Sequence, residues 1–248
     1  MNTAFEQIKN NHRIYIGESY EDQVSYKVAD LIHDKENIQQ LIQIQKHQLG
    51  APNIAITGLL FGKMYSVITM GLFEMIVRHH LILDMIPSNV GIELQEKNKM
   101  NYIISEDAVY STHDLTDEKV KELIHSYLVQ HLQPLFQQVA QTTGCKSTHM
   151  RSIVSHNLHQ KYREFIQNHP QHEEYAEKVF RWFTTEVCFS KNMRNPLHFD
   201  FRFYEADNGK KTYVRRHCCM KYMLHGANKA KCCPTCPLIS DEERDDRL

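Results

Sequence analysis

The sequence has few glycines, a single tryptophan and no excess of charge of either sign. Its 248 residues include 29 basic and 30 acidic side chains, for a formal net charge of −1, and 42% of the residues are hydrophobic. A chain of this length and composition can bury a core, which excludes a wholly disordered or collagen-like protein. The balanced charge also excludes a polybasic nucleic-acid arm as a description of the whole chain.

A long uncharged apolar run is also missing. The most apolar stretch, residues 51–86, is interrupted by Lys63, Glu74 and Arg78. A membrane-spanning helix needs about 20 mostly apolar residues. The N-terminal residues lack the basic region and apolar region of a secretory signal. We therefore expect a soluble, cytoplasmic protein.

Cysteine is scarce along most of the chain. Only Cys145 and Cys188 lie outside residues 218–236, where the other five of the seven cysteines are found. Disulfide-stapled secreted domains are short and distribute their cysteines along the chain. The clustering instead predicts a metal centre in a reducing compartment.

Hydrophobic periodicity predicts an α+β fold, with a mostly helical body and a small antiparallel β element. Two amphipathic helices are expected over residues 21–48, where Val24 begins the apolar face, and β-favouring runs around a polar turn predict the β element over 89–110. Pro134 is expected to kink or split a later helix. The remaining predicted helices cover residues 54–85 as a buried pair, 116–139, 148–166 and 173–187.

After Pro196, alternating apolar and polar residues predict a C-terminal hairpin with its turn at Asp207-Asn208-Gly209. This hairpin leads into the cysteine cluster. We expect residues 1–214 to form the mixed α+β body, in one domain with the rest. Residues 215–238 are then the cluster-binding segment, and residues 239–248 are a solvated acidic tail.

The segment from Arg215 to Leu238 reads RRHCCMKYMLHGANKAKCCPTCPL. Four thiolates can ligate a tetrahedral zinc ion or a 2Fe-2S cluster, and the candidate ligands are Cys218, Cys219, Cys233 and Cys236. The spacing of the last two lets a tight loop turn both sulfurs towards one metal. The adjacent pair requires a backbone turn, because neighbouring side chains on an extended strand point to opposite faces.

Spacing alone does not choose between iron–sulfur and zinc. An exchangeable disulfide between Cys233 and Cys236 is the main alternative without a metal, because a single Cys-x-x-Cys motif is a weak signal. These alternatives lead to different functions. Zinc in the same four thiolates would make the protein a structural or interaction module.

The segment resembles the C-terminal motif of ferric-siderophore reductases of the FhuF type. The similarity lies in a Cys-Cys pair after two arginines, a short apolar and basic stretch, and a final Cys-x-x-Cys-Pro. More loosely, the apolar helical segment of the first half and the pair His156-Asn157 also fit. The resemblance implies a bacterial cytoplasmic oxidoreductase that reduces siderophore-bound iron(III), so that iron(II) is released. By the same resemblance, the ligands of a 2Fe-2S cluster are Cys218, Cys219, Cys233 and Cys236.

The sequence departs from the family pattern at two points. The 13 residues between the cysteine pairs form a longer gap than is usual in the family, and Cys232 is an additional cysteine. A longer flexible loop costs little free energy when its ends are fixed. We favour Cys233 over Cys232 as the ligand, because Cys233 keeps the two-residue spacing to Cys236.

Seven basic residues and no acidic residue lie between Asn208 and Ser240. We expect Arg215, Arg216 and Lys221 to dock an anionic ferric chelate. For the two arginines, compensation of the negative charge of a thiolate-ligated cluster is an equal alternative.

The expected partners follow from this chemistry. They are a ferric siderophore, an external electron donor of the ferredoxin-like or flavoprotein type, and, transiently, the inner face of the membrane or an importer. The donor must be separate, because the sequence has no dinucleotide-binding fingerprint. Nucleic acid is not expected, because few aromatic residues lie among the lysines. A further alternative, suggested by the helical part, is a relative of siderophore-synthesising enzymes, but we find no phosphate-binding signature.

Overall fold

A computed structural model of the protein describes residues 2–17, 25–96, 99–189 and 193–248. Val24 and residues 97–98, which belong to the predicted polar turn, lie outside the described residues.

The predicted α+β class is confirmed, because helices dominate the described residues and the strands form small sheets. The helices are α1 Asn2–His12, α2 Val28–His33, α3 Lys35–Leu49, α4 Ile54–His79, α5 Asp117–Ser126, α6 Gln133–Thr143, α7 Ser147–Asn168, α8 Glu173–Thr184 and α9 Asp241–Asp245. The strands are β1 Ile14–Ile16, β2 Tyr26–Lys27, β3 Leu81–Leu83, β4 Val90–Gln95, β5 Lys99–Ile104, β6 Val109–Ser111, β7 Arg202–Glu205 and β8 Lys211–Val214.

Helix α4 is the central element of the core. Asn53 caps its N-terminus by accepting a hydrogen bond from the backbone N–H of Ile56 at 3.0 Å, and His80 ends it in the left-handed conformation at φ 54°. The prediction of a helical pair over residues 54–85 is therefore wrong. No proline interrupts the apolar run before His80, so one 26-residue helix forms, and the chain then enters β3.

By length and composition, α4 could cross a membrane. However, 78% of its most apolar 18-residue window is buried inside the fold. A helix that is apolar on all sides and packed on all sides is typical of the centre of a large core.

Close helix packing depends on a glycine in α4. A Cβ atom at Gly62 would lie 2.6 Å from Cβ and Cγ of Met150 on α7 and 3.1 Å from its Cα. At Gly58 the nearest atoms are instead the side-chain atoms Oγ1 of Thr143 at 2.5 Å and Sγ of Cys145 at 2.9 Å. At Gly62, helix α4 therefore contacts α7 close to the α7 backbone, whereas the contacts at Gly58 involve side chains that can rotate.

We expect Gly62→Ala to lower the free energy of unfolding by about 2 kcal/mol, because the backbone of α7 must move to admit the methyl group. Gly58→Ala is the matched comparison and should cost less, since side-chain rotation can relieve its contacts. Urea unfolding followed by circular dichroism measures both. Equal midpoints for Gly62→Ala and the unaltered protein would contradict the packing argument.

The sheets are small and lie beside the helical body. Strands β4 and β5 form the predicted antiparallel element, in which Val90 pairs with Ile104 and Gln95 with Lys99. Two short strands extend it into a four-stranded sheet of order β1-β5-β4-β2, in which β1 is parallel to β5. The sequence analysis missed these edge strands because two or three residues give no measurable alternation. Strands β3 and β6 pair separately.

The predicted break at Pro134 takes the form of a change in helical register. Between α5 and α6 the chain stays helical through a π-helical segment, Tyr127–Leu132. Proline has no backbone N–H, and its ring crowds the preceding turn. A wider π turn just before Pro134 accommodates both effects, so the two helices remain joined.

A buried ion cluster joins three helices. Glu74 on α4 is only 2% exposed, and its carboxylate lies 2.7 Å from Nε2 of His12 on α1 and 2.8 Å from Nζ of Lys161 on α7. Burial opposes ionisation of Glu74, but the hydrogen bonds from His12 and Lys161 outweigh it and hold its pKa well below the usual value. The cluster fixes α7, which also contributes to the cysteine site described next.

Candidate metal centre

The C-terminal hairpin positions the cysteine segment against α4 and α7. Strands β7 and β8 pair as predicted, with Gly209 at φ 78° in the turn. The next residue after β8, Arg215, donates its backbone N–H to the carbonyl oxygen of Thr235 at 2.9 Å. This bond closes the segment into a loop. All five of its cysteines line one small cavity, together with Lys63, Lys221, Tyr222 and Lys231.

A backbone turn directly follows the adjacent cysteines. Met220 adopts the left-handed conformation at φ 60°, and a 3-10 helix, Lys221–His225, follows it. The N–H of Met220 donates to Sγ of Cys218 at 3.3 Å. A short helical turn therefore lies directly after the pair.

The sulfur of Cys236 forms hydrogen bonds with two of the other three predicted ligands, Cys218 and Cys233. Sγ of Cys218 lies 3.5 Å from Sγ of Cys236. Sγ of Cys219 and Sγ of Cys233 lie 3.4 and 3.5 Å from the same atom, Nη1 of Arg215. Within the part of the chain that the structure describes, no three histidine, cysteine or acidic side chains are grouped around a single ion position.

The thiols influence one another's protonation. The hydrogen bond with Cys236 lowers the pKa of Cys218, against the effect of burial, and the N–H of Met220 adds to the lowering. The shared proton raises the pKa of Cys236 to about 12. The hydrogen bond with Cys236 and burial raise the pKa of Cys233 to about 12, although Arg215 opposes that rise. The pKa of Cys218 is therefore shifted in the opposite direction from the pKa values of Cys233 and Cys236.

A residue that docks a substrate should face solvent, but Arg215 does not. It is 9% exposed, and its guanidinium points at two of the sulfurs. Of the two interpretations left open by the sequence, its position favours charge compensation at the thiols, and its expected contact with substrate is corrected accordingly. Burial follows from its place at the end of β8, packed against α7. Arg216, the next residue, is exposed and lines a depression that Arg202, Arg215 and Arg244 also line.

Three lysines supply the positive charge around the cavity. Lys221 was expected there from the sequence, whereas Lys63 and Lys231 were not assigned a role. Burial lowers the pKa of Lys63, and the nearby charges of Arg215 and Lys221 lower it further, against the effect of Cys219. Lys63 comes from α4, so the N-terminal half forms one wall of the site. Its sequence signal is the one lysine of a mostly apolar helix.

The acidic segment at residues 239–248 is folded, so its prediction as a solvated tail is corrected. Ser240 and Glu243 form a reciprocal capping box at the start of α9, as expected for Ser-x-x-Glu. Arg244 is 1% exposed. Its guanidinium donates to the carbonyl oxygens of Pro234, Cys236 and Ile239. One buried arginine thus binds the acidic helix to the cysteine loop.

The other cysteines divide between the site and the body. Cys232 is 7% exposed and packs with Cys236 and Ile239. Because it lines the same cavity, the choice of Cys233 over Cys232 as ligand stays a prediction. Cys145 and Cys188 pack with the main core.

The donor chemistry of the cavity suits a thiolate-bound metal centre. Soft sulfur donors select zinc and iron–sulfur clusters, and the lining residues that the structure describes include no carboxylate. The cavity has about 30 Å³ of free space, near the share of one liquid water molecule. A cluster core therefore requires that the thiol side chains turn apart about χ1. The residues that would hold it are Cys218, Cys219, Cys233 and Cys236.

Comparison with known proteins yields distant structural similarity alone. No protein-family model matches the chain, and no curated protein matches it. A solved structure of aerobactin synthetase IucC from a hypervirulent pathotype of Klebsiella pneumoniae is 17% identical, with a TM-score of 0.46. The match covers 71% of this chain and 36% of the synthetase chain, so this chain spans about a third of that enzyme's length.

A similarity of this size carries no argument about the activity of this chain. The comparisons do not support membership of the FhuF-type family either, so the reductase function is argued below as a proposal.

Proposed function

We propose that this protein is a cytoplasmic iron–sulfur oxidoreductase that gives one electron to ferric siderophore complexes, so that iron(II) is released. The observation that carries the proposal is that the four predicted cysteine ligands line one cavity together with three lysines. A 2Fe-2S cluster takes four cysteine thiolates, two for each iron. Cys218, Cys219, Cys233 and Cys236 supply that number.

The same four thiolates also suit a structural zinc ion, which takes four ligands in one tetrahedron. Zinc in these thiolates is therefore the outcome that the experiment below must separate from iron.

The reaction needs one electron and no covalent chemistry. Iron(III) in a siderophore is held by hard oxygen donors, and iron(II) is softer and held more weakly by them. The iron gains one electron, an external ferredoxin-like or flavoprotein donor loses one, and the chelator leaves unchanged. The cluster would supply the one-electron transfer between the two.

The residues around the cavity bind and orient the partners. Lys63, Lys221 and Lys231 produce a positive field at the cavity, which attracts an anionic ferric chelate. The same field favours an acidic face on the donor protein. Transient contact with the inner face of the membrane or with an importer would shorten the path of the incoming chelate. Nucleic acid is not part of the proposal.

The experiment that tests the proposal begins with the composition of the full chain, purified without oxygen. Iron, sulfide and zinc are quantified on one sample, and visible and electron paramagnetic resonance spectra are recorded before and after dithionite. About two irons and two sulfides per chain, with a paramagnetic signal on reduction, are expected. One zinc ion without iron, after expression with ample iron, would reject the proposal.

The second part of the experiment measures turnover. Dithionite-reduced protein is mixed with ferric hydroxamate, catecholate and carboxylate siderophores, and iron(II) is trapped by a coloured chelator. We expect iron(II) in proportion to the protein's reducing equivalents, and a rate that falls as salt screens the lysines. Failure with all three classes by a cluster-loaded protein would reject the substrate while leaving an electron-transfer protein.

A further inference from the structure

The guanidinium of Arg215 is held from two sides. Towards the cysteines, Nη1 donates to Sγ of Cys219 at 3.4 Å and to Sγ of Cys233 at 3.5 Å. Towards helix α7, Nε donates to Nδ1 of His156 at 3.4 Å, and Nη2 donates to Oδ1 of Asn157 at 3.4 Å. One buried cation therefore connects the helical body to one sulfur pair.

His156 is in the neutral tautomer that can accept the hydrogen bond from Nε of Arg215. Its Nε2 lies 2.7 Å from the carbonyl oxygen of Tyr213, which can only accept, so Nε2 carries the proton. Burial and the charge of Arg215 lower the pKa of His156 to about 4, which keeps the ring neutral near pH 7. Nδ1 is then a free acceptor for Nε of Arg215.

Asn157 is fixed by α4. Its Nδ2 donates to Oγ of Ser66 at 2.7 Å, and Oγ of Ser66 donates to the carbonyl oxygen of Lys63 at 2.6 Å. The side-chain oxygen of Asn157 is therefore oriented towards Arg215. His156 and Asn157, the pair noted in the sequence, thus orient the guanidinium of Arg215.

We propose that Arg215 sets the reduction potential of the centre through Cys219 and Cys233, and that His156 and Asn157 are positioning residues for its guanidinium. The inference rests on the proposed function, because it concerns a redox centre on these sulfurs. Arg216 lacks these contacts and has no such role.

The direction of the effect follows from electrostatics. Reduction adds negative charge to a centre already bound by thiolates, and hydrogen bonds to its sulfurs and nearby positive charge both favour the reduced state. The effect is large here because a buried cation is little screened by solvent. Arg215 therefore raises the potential relative to the same centre without it.

The test compares Arg215→Gln with the matched control Arg216→Gln, each purified with its cluster. Potentials are measured by dye-mediated titration with electron paramagnetic resonance. At a fixed donor potential, we expect the ratio of reduced to oxidised centre to fall about tenfold in Arg215→Gln, equivalent to about 59 mV for a one-electron couple. Arg216→Gln should differ from the unaltered protein by less than about twofold, because its charge is exposed and screened.

Two further variants separate tuning from folding. Arg215→Lys keeps the charge but loses the guanidinium, whose Nε and Nη2 are held by His156 and Asn157 while Nη1 reaches both sulfurs, so we expect a partial recovery of the potential. Asn157→Ala leaves Arg215 in place and should lower the potential in the same direction, with a changed spectrum of the reduced centre. If Arg215→Gln fails to retain a cluster, Asn157→Ala and Arg215→Lys decide the result.

The possible failures are distinguishable. A cluster-loaded protein whose potential is the same in the Arg215, Asn157 and Arg216 variants would overturn this inference and leave the oxidoreductase proposal intact. An unaltered protein that holds zinc and no iron would overturn both.

Discussion

Replacement of Cys236 by serine is expected to remove the cluster completely while the helical body stays folded. Cys236 is 2% exposed and its sulfur lies within 3.5 Å of that of Cys218. A serine hydroxyl keeps the shape of the side chain but does not supply a thiolate, which is the ligand that these metals require. One iron would then lose half of its protein ligands.

Iron and sulfide analysis and the visible spectrum measure this loss, and far-ultraviolet circular dichroism reports on the body. Cys145→Ser is the matched control, because Cys145 packs with the main core and should leave the iron content unchanged. Full iron–sulfur absorbance in Cys236→Ser would remove Cys236 from the ligand set.

The same assay decides between the two adjacent cysteines. We expect Cys233→Ser to lose the cluster and Cys232→Ser to keep it. Cys233 has the two-residue spacing to Cys236, and its sulfur accepts from Arg215. The opposite result would place Cys232 in the ligand set and would remove one of the two sulfur contacts on which the role of Arg215 depends.

Replacement of Arg244 by methionine is expected to cost about 3 kcal/mol of local stability in the cysteine loop. Methionine keeps much of the buried volume but leaves the carbonyl oxygens of Pro234, Cys236 and Ile239 without their charged donor. Buried acceptors without a partner are costly. The loop should therefore open more often, and a bound cluster should be lost faster.

Hydrogen exchange over residues 232–240 measures this opening directly, and the decay of iron–sulfur absorbance measures its consequence. The matched control is Arg202→Met. Arg202 forms a two-bond ion pair with Asp241 on the same helix, but its side chain is 52% exposed, so its loss should cost under about 1 kcal/mol. Equal protection in the two variants would show that the buried position of Arg244 does not matter.

The sequence was most informative where a pattern repeats. Apolar periodicity predicted α7 and α8 closely, and turn residues predicted the β7–β8 hairpin. The sequence predictions failed where an element is too short to show a pattern, or where its apolar residues give no periodicity. Strand β1 has three residues, and an all-apolar run such as α4 has no face that shows where it ends. That boundary was set by His80, whose left-handed backbone no composition rule predicts.

The candidate site shows the same division. Spacing identified the candidate ligands because these cysteines are close together in the sequence. The structure places them around one cavity. Arg215 was placed in the right segment, but the sequence left chelate docking and charge compensation equally open, because its burial depends on α7, more than 40 residues earlier in the chain. Lys63 and Ser66 were not found at all. Their contribution comes from long-range packing that one sequence does not reveal.

The order of these residues along the chain has a consequence for biogenesis. Lys63, Ser66, His156 and Asn157, which surround or orient the centre, all precede Cys218 in the sequence. During synthesis, N-terminal segments emerge and begin to fold first. The helical body is therefore expected to be in place before the thiols leave the ribosome. Insertion of the proposed cluster is then expected to be a late maturation step, and iron-starved cells should accumulate a folded precursor that can be loaded when iron returns.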